Sequence, residues 1–356
     1  MSLNLYGWDD QRNSEISGDA YSDMVSGRVI ASSRGIYTVI TKLGEGRAEL
    51  SGAFRYKTIS NLEYPVVGDF VLLREEQGLF IVEQVLSRKS LLKRKAPGET
   101  AEEQILAANL DYVFLVYGLD GGRSFNIRSI ERLLTLVWDS GAAPIIVLNK
   151  ADLCVDTELY KSEAETVSMG VPVIISSAAS GLGLSNIRSI LGKGKTGLFI
   201  GRSGVGKSAL TNALMEKEIS ETGNVRGDDR KGRHTTTSRD MFLLPWGALL
   251  IDSPGIREIQ LTGEESSVAE TFSDIVEIAA DCRFNDCGHE SEPGCAVQEA
   301  IQAGDLSEGR YQSYQKHLNE IKYQQRRGDI RLEMLEREKW KAIHKEYQNF
   351  GRKKGQ

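Results

Sequence analysis

The stretch Gly201-Arg202-Ser203-Gly204-Val205-Gly206-Lys207-Ser208 follows the apolar run Leu198-Phe199-Ile200 and precedes Ala209-Leu210-Thr211-Asn212-Ala213-Leu214. Strand, glycine-rich loop and helix in that order are the setting in which such a pattern cradles phosphate. Glycines let successive backbone N–H groups face phosphate oxygens, and the helix N-terminus adds a favourable field. Lys207 is placed to bridge the outer phosphates and Ser208 to ligate Mg²⁺. The nucleotide-binding set read here is Gly201, Arg202, Ser203, Gly204, Val205, Gly206, Lys207, Ser208 and Ala209.

A phosphate loop does not choose a base. Asn149-Lys150-Ala151-Asp152, directly after the apolar Pro144–Leu148, does. The Asp152 carboxylate can accept from both N1–H and the exocyclic amine of guanine, a pair of donors that adenine lacks. Discrimination of this kind reaches roughly 10⁴-fold, because the wrong base leaves buried polar groups unpaired. Lys150 is expected over the base plane and Asn149 as a brace for the loop. Ser177-Ala178, after Val173-Ile174-Ile175, would offer a backbone N–H to the guanine carbonyl.

Asp252-Ser253-Pro254-Gly255 follows Leu249-Leu250-Ile251, giving a carboxylate for Mg²⁺ and a Gly255 N–H for the γ-phosphate. Between it and the phosphate loop lies the glycine-rich, charged segment Gly223–Thr237, containing Arg233-His234-Thr235-Thr236-Thr237. One of these threonines is expected to close over Mg²⁺; Thr236 is the choice, with its neighbours as alternatives. The Mg²⁺ set is therefore Ser208, Thr236 and Asp252.

The order of these elements is unusual. An ordinary GTP-binding domain begins with the phosphate loop and reaches its Asn-Lys-x-Asp late, whereas here Asp152 precedes Gly201. The same sheet forms if the old termini are joined and the chain is opened elsewhere, since domain termini often lie close together. The expected fold is thus an α/β P-loop GTPase domain, circularly permuted, with a mainly parallel sheet and helices on both faces. Asp111–Tyr117 and Pro144–Leu148 read as strands around a helix capped by Asn126, with Ile127, Ile130, Leu134 and Val137 on one face. Val171–Ile175, Gly197–Ile200 and Leu249–Ile251 continue the pattern.

Ahead of this domain, residues 25–98 carry five short apolar runs separated by glycine-containing breaks, which predicts an N-terminal β-barrel of the oligonucleotide-binding type. Arg88–Lys95 is a basic run closing it, either a solvated connector or an RNA contact, and Ala96–Gln104 reads as a linker. Residues 1–24 are polar and aperiodic, as expected of a mobile arm. The GTPase domain spans 99–265 and a zinc-binding helical domain 266–356.

Cys282-x4-Cys287-x-His289-x5-Cys295 supplies three thiols and an imidazole in a short window, matching a closed tetrahedral Cys₃His zinc site. Such a zinc would be structural, with no position left for water. Cys154 stands apart and reads as a small buried side chain. Downstream, Tyr311–Phe350 is helical in composition and rich in Lys and Arg, a solvated helix or an RNA-docking one.

A net charge of -6 and a pI near 5.5 exclude a protein that coats nucleic acid through its overall field, so RNA contacts must come from local patches. The start lacks a basic segment followed by an apolar one, and no run reaches the roughly 18 apolar residues of a membrane span. The expectation is a cytoplasmic protein with no membrane and no DNA partner, monomeric.

Together, the permuted elements, the barrel and Cys282–Val297 resemble the ribosome small-subunit-dependent GTPase A (RsgA) family, over about Gly27 to Arg327. The resemblance implies a late assembly factor that binds the 30S subunit and its rRNA near the decoding region, hydrolyses GTP to GDP when stimulated by it, and leaves. Ala209 departs from the serine frequent in the family. Ile256 stands where a Ras-like GTPase keeps its water-orienting glutamine, and His234 resembles the family's candidate for that work; alternatively His234 only packs against RNA or switch backbone. Two other readings are an RNA-binding module with GTP as structural ligand, and a G protein for a non-ribosomal partner.

Overall fold

The structure is a computed structural model that describes residues 3–16, 23–33, 35–58, 60–95, 103–121, 124–216, 239–252, 265–290, 292–323 and 325–326. His234, Thr236 and Gly255 lie outside these residues.

A 3-10 turn over Leu3–Tyr6 and helix α1 (Asp10–Glu15) open the chain. The Asp9 carboxylate caps α1 by accepting from the Arg12 N–H. Residues 3–16 are therefore not the mobile arm that their polarity predicts. Leu3, Tyr6 and Arg12 are buried, and Trp8 packs edge-on against Phe70 with centroids 5.5 Å apart. The anchor is Arg12, whose guanidinium donates to the Ser87 carbonyl and to Asn109 Oδ1. A charged side chain doing a core residue's job is invisible to hydrophobic periodicity.

Strands β1 (Val25–Ser33), β2 (Ile36–Thr41) and β3 (Gly44–Leu50) form a meander, helix α2 (Gly52–Lys57) follows, and β4 (Phe70–Glu76) and β5 (Leu79–Val85) complete the barrel. Their order is β1-β2-β3-β5-β4, with β4 pairing back onto β1, so the sheet closes on itself. Only the β3–β5 pairing is parallel. That is the five-stranded arrangement of the oligonucleotide-binding fold. Val29, Tyr37, Val39, Ala48, Val71, Leu73, Phe80 and Val82 fill the interior.

The basic run does not join the barrel sheet. Leu91–Lys95 is β6, an antiparallel partner of β7 (Glu103–Ala108) in a separate two-stranded ribbon, so the expected linker already holds strand residues at Glu103 and Gln104. Leu92, Leu106, Ala107 and Ala108 are buried, which is what pins the ribbon down.

The nucleotide-binding domain follows as β8 (Tyr112–Gly118), α3 (Ile127–Asp139), β9 (Ala143–Asn149), α4 (Thr157–Ser168), β10 (Val173–Ile175), α5 (Leu184–Ile190), β11 (Thr196–Ile200), α6 (Lys207–Met215), β12 (Arg239–Leu243) and β13 (Leu249–Asp252). Asn126 caps α3 as expected, its Oδ1 accepting from Ser129 N–H at 3.1 Å. Strand residues alternate between two cores. Val113, Leu115 and Tyr117 face α3, while Phe114 and Val116 face α5 and α6. Helices on both faces of β10-β9-β8-β11-β13, all parallel, make the doubly wound sheet.

Sequence reading missed β12. It runs antiparallel to β13 and pairs on its other side with the end of β1, through Ala31↔Asp240 and Ser32↔Arg239. Barrel and nucleotide-binding domain thereby share one eleven-stranded sheet. Beyond it lie α7 (Glu265–Thr271), α8 (Ser273–Ala279), α9 (Ala296–Ala303) and a helix, α10, over 308–323. Phe272, Ile275, Val297, Tyr311 and Ile321 belong to the same core as α3, so no gap in packing separates this module from the sheet.

Candidate functional site: a phosphate loop, a base-reading loop and a Cys/His cluster

The phosphate loop leaves β11 at Gly201 and enters α6 at Lys207. Gly201 has φ +152°, and a β-carbon there would lie 2.3 Å from the Val116 carbonyl oxygen. Gly206 has φ +99°, and its β-carbon would fall 2.2 Å from Asn149 Nδ2. Both glycines are thus required by close backbone approach as well as by conformation. Val205, 1% exposed, plugs the loop into the core. Lys207 Nζ donates to the carbonyls of Gly201 and Arg202 at 2.8 and 2.9 Å, which keeps the ammonium across the mouth of the loop. Burial pushes the Lys207 ammonium below its usual pKa, and the Asp252 charge opposes that shift.

Asn149 joins three loops. Its Nδ2 donates to Val205 O at 2.9 Å, and its Oδ1 accepts from Ser176 Oγ at 3.3 Å and Ala178 N–H at 3.2 Å. Asn149 thereby ties the Asn149–Asp152 loop directly to the phosphate loop. Asp152 Oδ1 accepts from Ser177 Oγ at 2.5 Å, which holds the carboxylate in one orientation. The N–H groups of the Ser177-Ala178 pair already have acceptors, on Leu182 O at 3.0 Å and Asn149 Oδ1. A base contact from Ala178 would have to share its bond with Asn149.

Ser208 lies in the first turn of α6 and Asp252 ends β13; because β11 and β13 are parallel neighbours, both sit at the carboxyl edge of the sheet. Ligand sites of open α/β sheets gather at this edge. Opposite Asp252 in the β12–β13 ladder stands Asp240. Burial, reinforced by the Asp252 charge, raises the Asp240 carboxyl above the usual range. Sequence reasoning passed over Asp240, and also Asp120, whose carboxylate meets Lys150 Nζ at 2.5 Å. An Asp-Gly step after a strand reads as an ordinary turn, so nothing in the pattern marked Asp120.

In the C-terminal module the ligating atoms of Cys282, Cys287, His289 and Cys295 all lie within 4.8 Å of one another. Cys282 Sγ and Cys295 Sγ are each 3.5 Å from His289 Nδ1 and 3.9 Å apart. A tetrahedron with Zn–S and Zn–N bonds of about 2.3 and 2.0 Å has edges of about 3.8 and 3.5 Å, so the four groups fit zinc. Backbone supports the ligands: His289 O accepts from Gln298 Nε2 at 2.7 Å and from Tyr311 Oη at 2.8 Å. Burial raises the Cys282 thiol, yet hydrogen bonds from the Val297 and Ala296 N–H groups at the α9 start, together with those to Cys295 and Cys287, bring it below the usual value.

A phosphate loop clasped by an Asn-Lys-x-Asp loop that precedes it in the chain defines a circularly permuted P-loop GTPase. A family model described as RsgA GTPase matches residues 85–262, and the chain is 40% identical over 346 residues to the small ribosomal subunit biogenesis GTPase RsgA 1 of Oceanobacillus iheyensis, covering 96% of this chain and 98% of that one. The chain belongs to the RsgA GTPase family. It is also 40% identical over 353 residues to the protein named small ribosomal subunit biogenesis GTPase RsgA of Methanosarcina acetivorans, covering 98% and 94% of the two chains. The crystal structure of YjeQ from Thermotoga maritima superposes with a TM-score of 0.63 at 30% identity, over 84% of this chain and 98% of that one. A second family model, described as 50S ribosome-binding GTPase, matches residues 196–355.

Proposed function

We propose that this chain hydrolyses GTP as a maturation factor of the small ribosomal subunit, binding the 30S particle through its rRNA. The observation that carries this reading is the 40% identity over 96% of the chain to a relative named for that role. The closed five-stranded barrel supports it, because that strand order is widely used for single-stranded nucleic acid. The match to a model described as 50S-binding spans only residues 196–355, the GTPase domain from β11 onward and the C-terminal module, and not the barrel.

In this reading Asp152 accepts from guanine N1–H and the exocyclic amine, Lys150 covers the base, and the phosphate-loop N–H groups and Lys207 hold the phosphates. Ser208 and Asp252 hold Mg²⁺, joined by Thr236 from the switch, and Gly255 N–H meets the γ-phosphate. When bound, Mg²⁺ neutralises charge on the β- and γ-phosphate oxygens. His234 orients the attacking water. Zinc on Cys282, Cys287, His289 and Cys295 is structural, one per chain. The protein acts as a monomer in the cytoplasm; among the described residues no helix is long and apolar enough to cross a membrane.

Co-sedimentation with purified 30S and 50S particles, in GDP and in a non-hydrolysable GTP analogue, tests the partner. The expected outcome is pelleting with 30S that depends on the nucleotide. Pelleting with 50S alone would transfer the function to the large subunit, and pelleting with neither would remove the ribosomal role.

A further inference from the structure

Lys150 has a left-handed backbone, φ 64°, directly after the last residue of β9. The stem runs beside β8, with its Cδ 3.6 Å from where a β-carbon on Gly118 would stand. Asp120 lies two residues past the end of β8 and reaches the ammonium at 2.5 Å. Both backbones are fixed by the sheet: Gly118 pairs with Asn149, and Leu119 N–H continues the ladder by donating to Asn149 O at 2.8 Å. Ser124 Oγ donates to Gly118 O at 2.9 Å and lies 3.4 Å from Asp120 Oδ1, which steadies the turn carrying the carboxylate. The side chains of Lys150 and Asp120 are only 26% and 29% exposed, so the pair is more covered than surface pairs usually are.

We propose that Asp120 is a positioning residue for the guanine base, holding the Lys150 ammonium so that the lysine stem already lies as a cover over the base plane before nucleotide arrives. This rests on the reading that Lys150 covers the base. A lysine stem has four rotatable bonds whose freedom is lost when a ligand packs against it, and an ion pair that orders the stem beforehand removes that cost from binding. The flat methylene chain touches any purine alike. Asp120 therefore governs how long a purine nucleotide stays, whereas choosing between purines is left to Asp152.

Stopped-flow release of GDP and IDP from the full chain, for Asp120→Ala, Lys150→Ala and the double variant, tests this without ribosomes. Release of both nucleotides from Asp120→Ala is expected to be about tenfold faster by the same factor. Lys150→Ala is expected to lose at least as much, and the double variant no more than Lys150→Ala. Asp120→Glu should recover part of the loss, while thermal midpoints hardly move because a partly exposed ion pair adds little stability. Parental release from Asp120→Ala, with Lys150→Ala impaired, would overturn the proposal alone. Parental release from Lys150→Ala would remove the base cover itself and the proposal with it, and additive losses in the double variant would show that Asp120 does not act through Lys150.

Discussion

Asn149, 1% exposed, uses its amide to bond Val205 O while its oxygen accepts from Ser176 and Ala178, so a single side chain sets the spacing between phosphate loop and base-reading loop. Asp152 inherits its orientation from that loop and from Ser177. Asp152→Asn is expected to weaken GTP binding by about 2.7 kcal/mol, on the order of 100-fold, and to favour XTP, since the amide offers a donor where xanthine carries a carbonyl. Competition between GTP and XTP measures it; unchanged preference would take Asp152 away from the base. Arg28 is the second residue on which much depends. It is 1% exposed and donates to Tyr6 O at 2.6 Å, Gly68 O at 3.1 Å, Asn109 O at 3.3 Å and Thr196 Oγ1 at 3.0 Å, with its guanidinium 4.6 Å from the Phe70 ring centre. Burial lowers its pKa to about 10, which leaves it charged at neutral pH. Arg28→Ala orphans several buried acceptors at the seam of arm, barrel and GTPase domain, and is expected to cost about 3 kcal/mol in denaturant unfolding. Arg28→Lys should recover little, because one ammonium cannot reach four acceptors spread around a planar fork.

At the scale of elements, the parts with a repeating apolar signal were legible. Val113–Tyr117, Pro144–Leu148 and Leu198–Ile200 each alternate between two buried faces and form the parallel strands expected of them. What escaped was held by other forces. β12 is short, and it pairs on one side with β13 a few residues downstream and on the other with β1, some two hundred residues earlier, a partner no local window contains. α1 is fixed by Arg12, and β6 by a partner strand that begins within the last two residues of what reads as a linker. The same limit applied to the contact between α3 and the C-terminal module. Glu131, 0% exposed on α3, accepts from Arg310 at 2.9 Å, Arg128 at 2.9 Å and Ser313 at 2.6 Å, while Arg310 also bonds Asp274 and Thr271 O. Arg310→Ala is expected to destabilise the module by about 3 kcal/mol, because it takes from a buried carboxylate the more buried of its two arginine partners. Hydrogen exchange in α8 and α10 reads this; unchanged protection would mean that packing alone holds the seam. Zinc makes a separate demand on the same region. Binding energy at a closed site is folding energy, so a strong chelator should loosen residues 282–303 and leave GDP binding, which uses none of them, largely intact. Stoichiometric metal analysis of protein purified without chelators is the check, and absence of zinc would remove the claim.

For the whole molecule, the continuous sheet matters more than any one domain. β1 belongs to the barrel and pairs with β12, β12 pairs with β13, and β13 ends in Asp252. The barrel is thus two strands away from the residue proposed for Mg²⁺, and the cysteine cluster follows about thirty residues later in the chain. A particle gripping both barrel and zinc module would engage the chain on either side of the β12–β13 pair that ends in Asp252. Such gripping accelerates hydrolysis only if it stabilises the transition state more than the bound substrate, with about 1.4 kcal/mol needed for each tenfold gain. His234→Ala is expected to keep GTP affinity, since Lys207, Ser208 and Asp152 are untouched, and to lose most of that gain. The most direct measurement is single-turnover GTP hydrolysis with the chain alone, with saturating 30S and with saturating 50S. The expected result is a rate at least tenfold higher with 30S, corresponding to about 1.4 kcal/mol, and no comparable gain with 50S. Equal rates with and without 30S, or equal stimulation by both subunits, would contradict it.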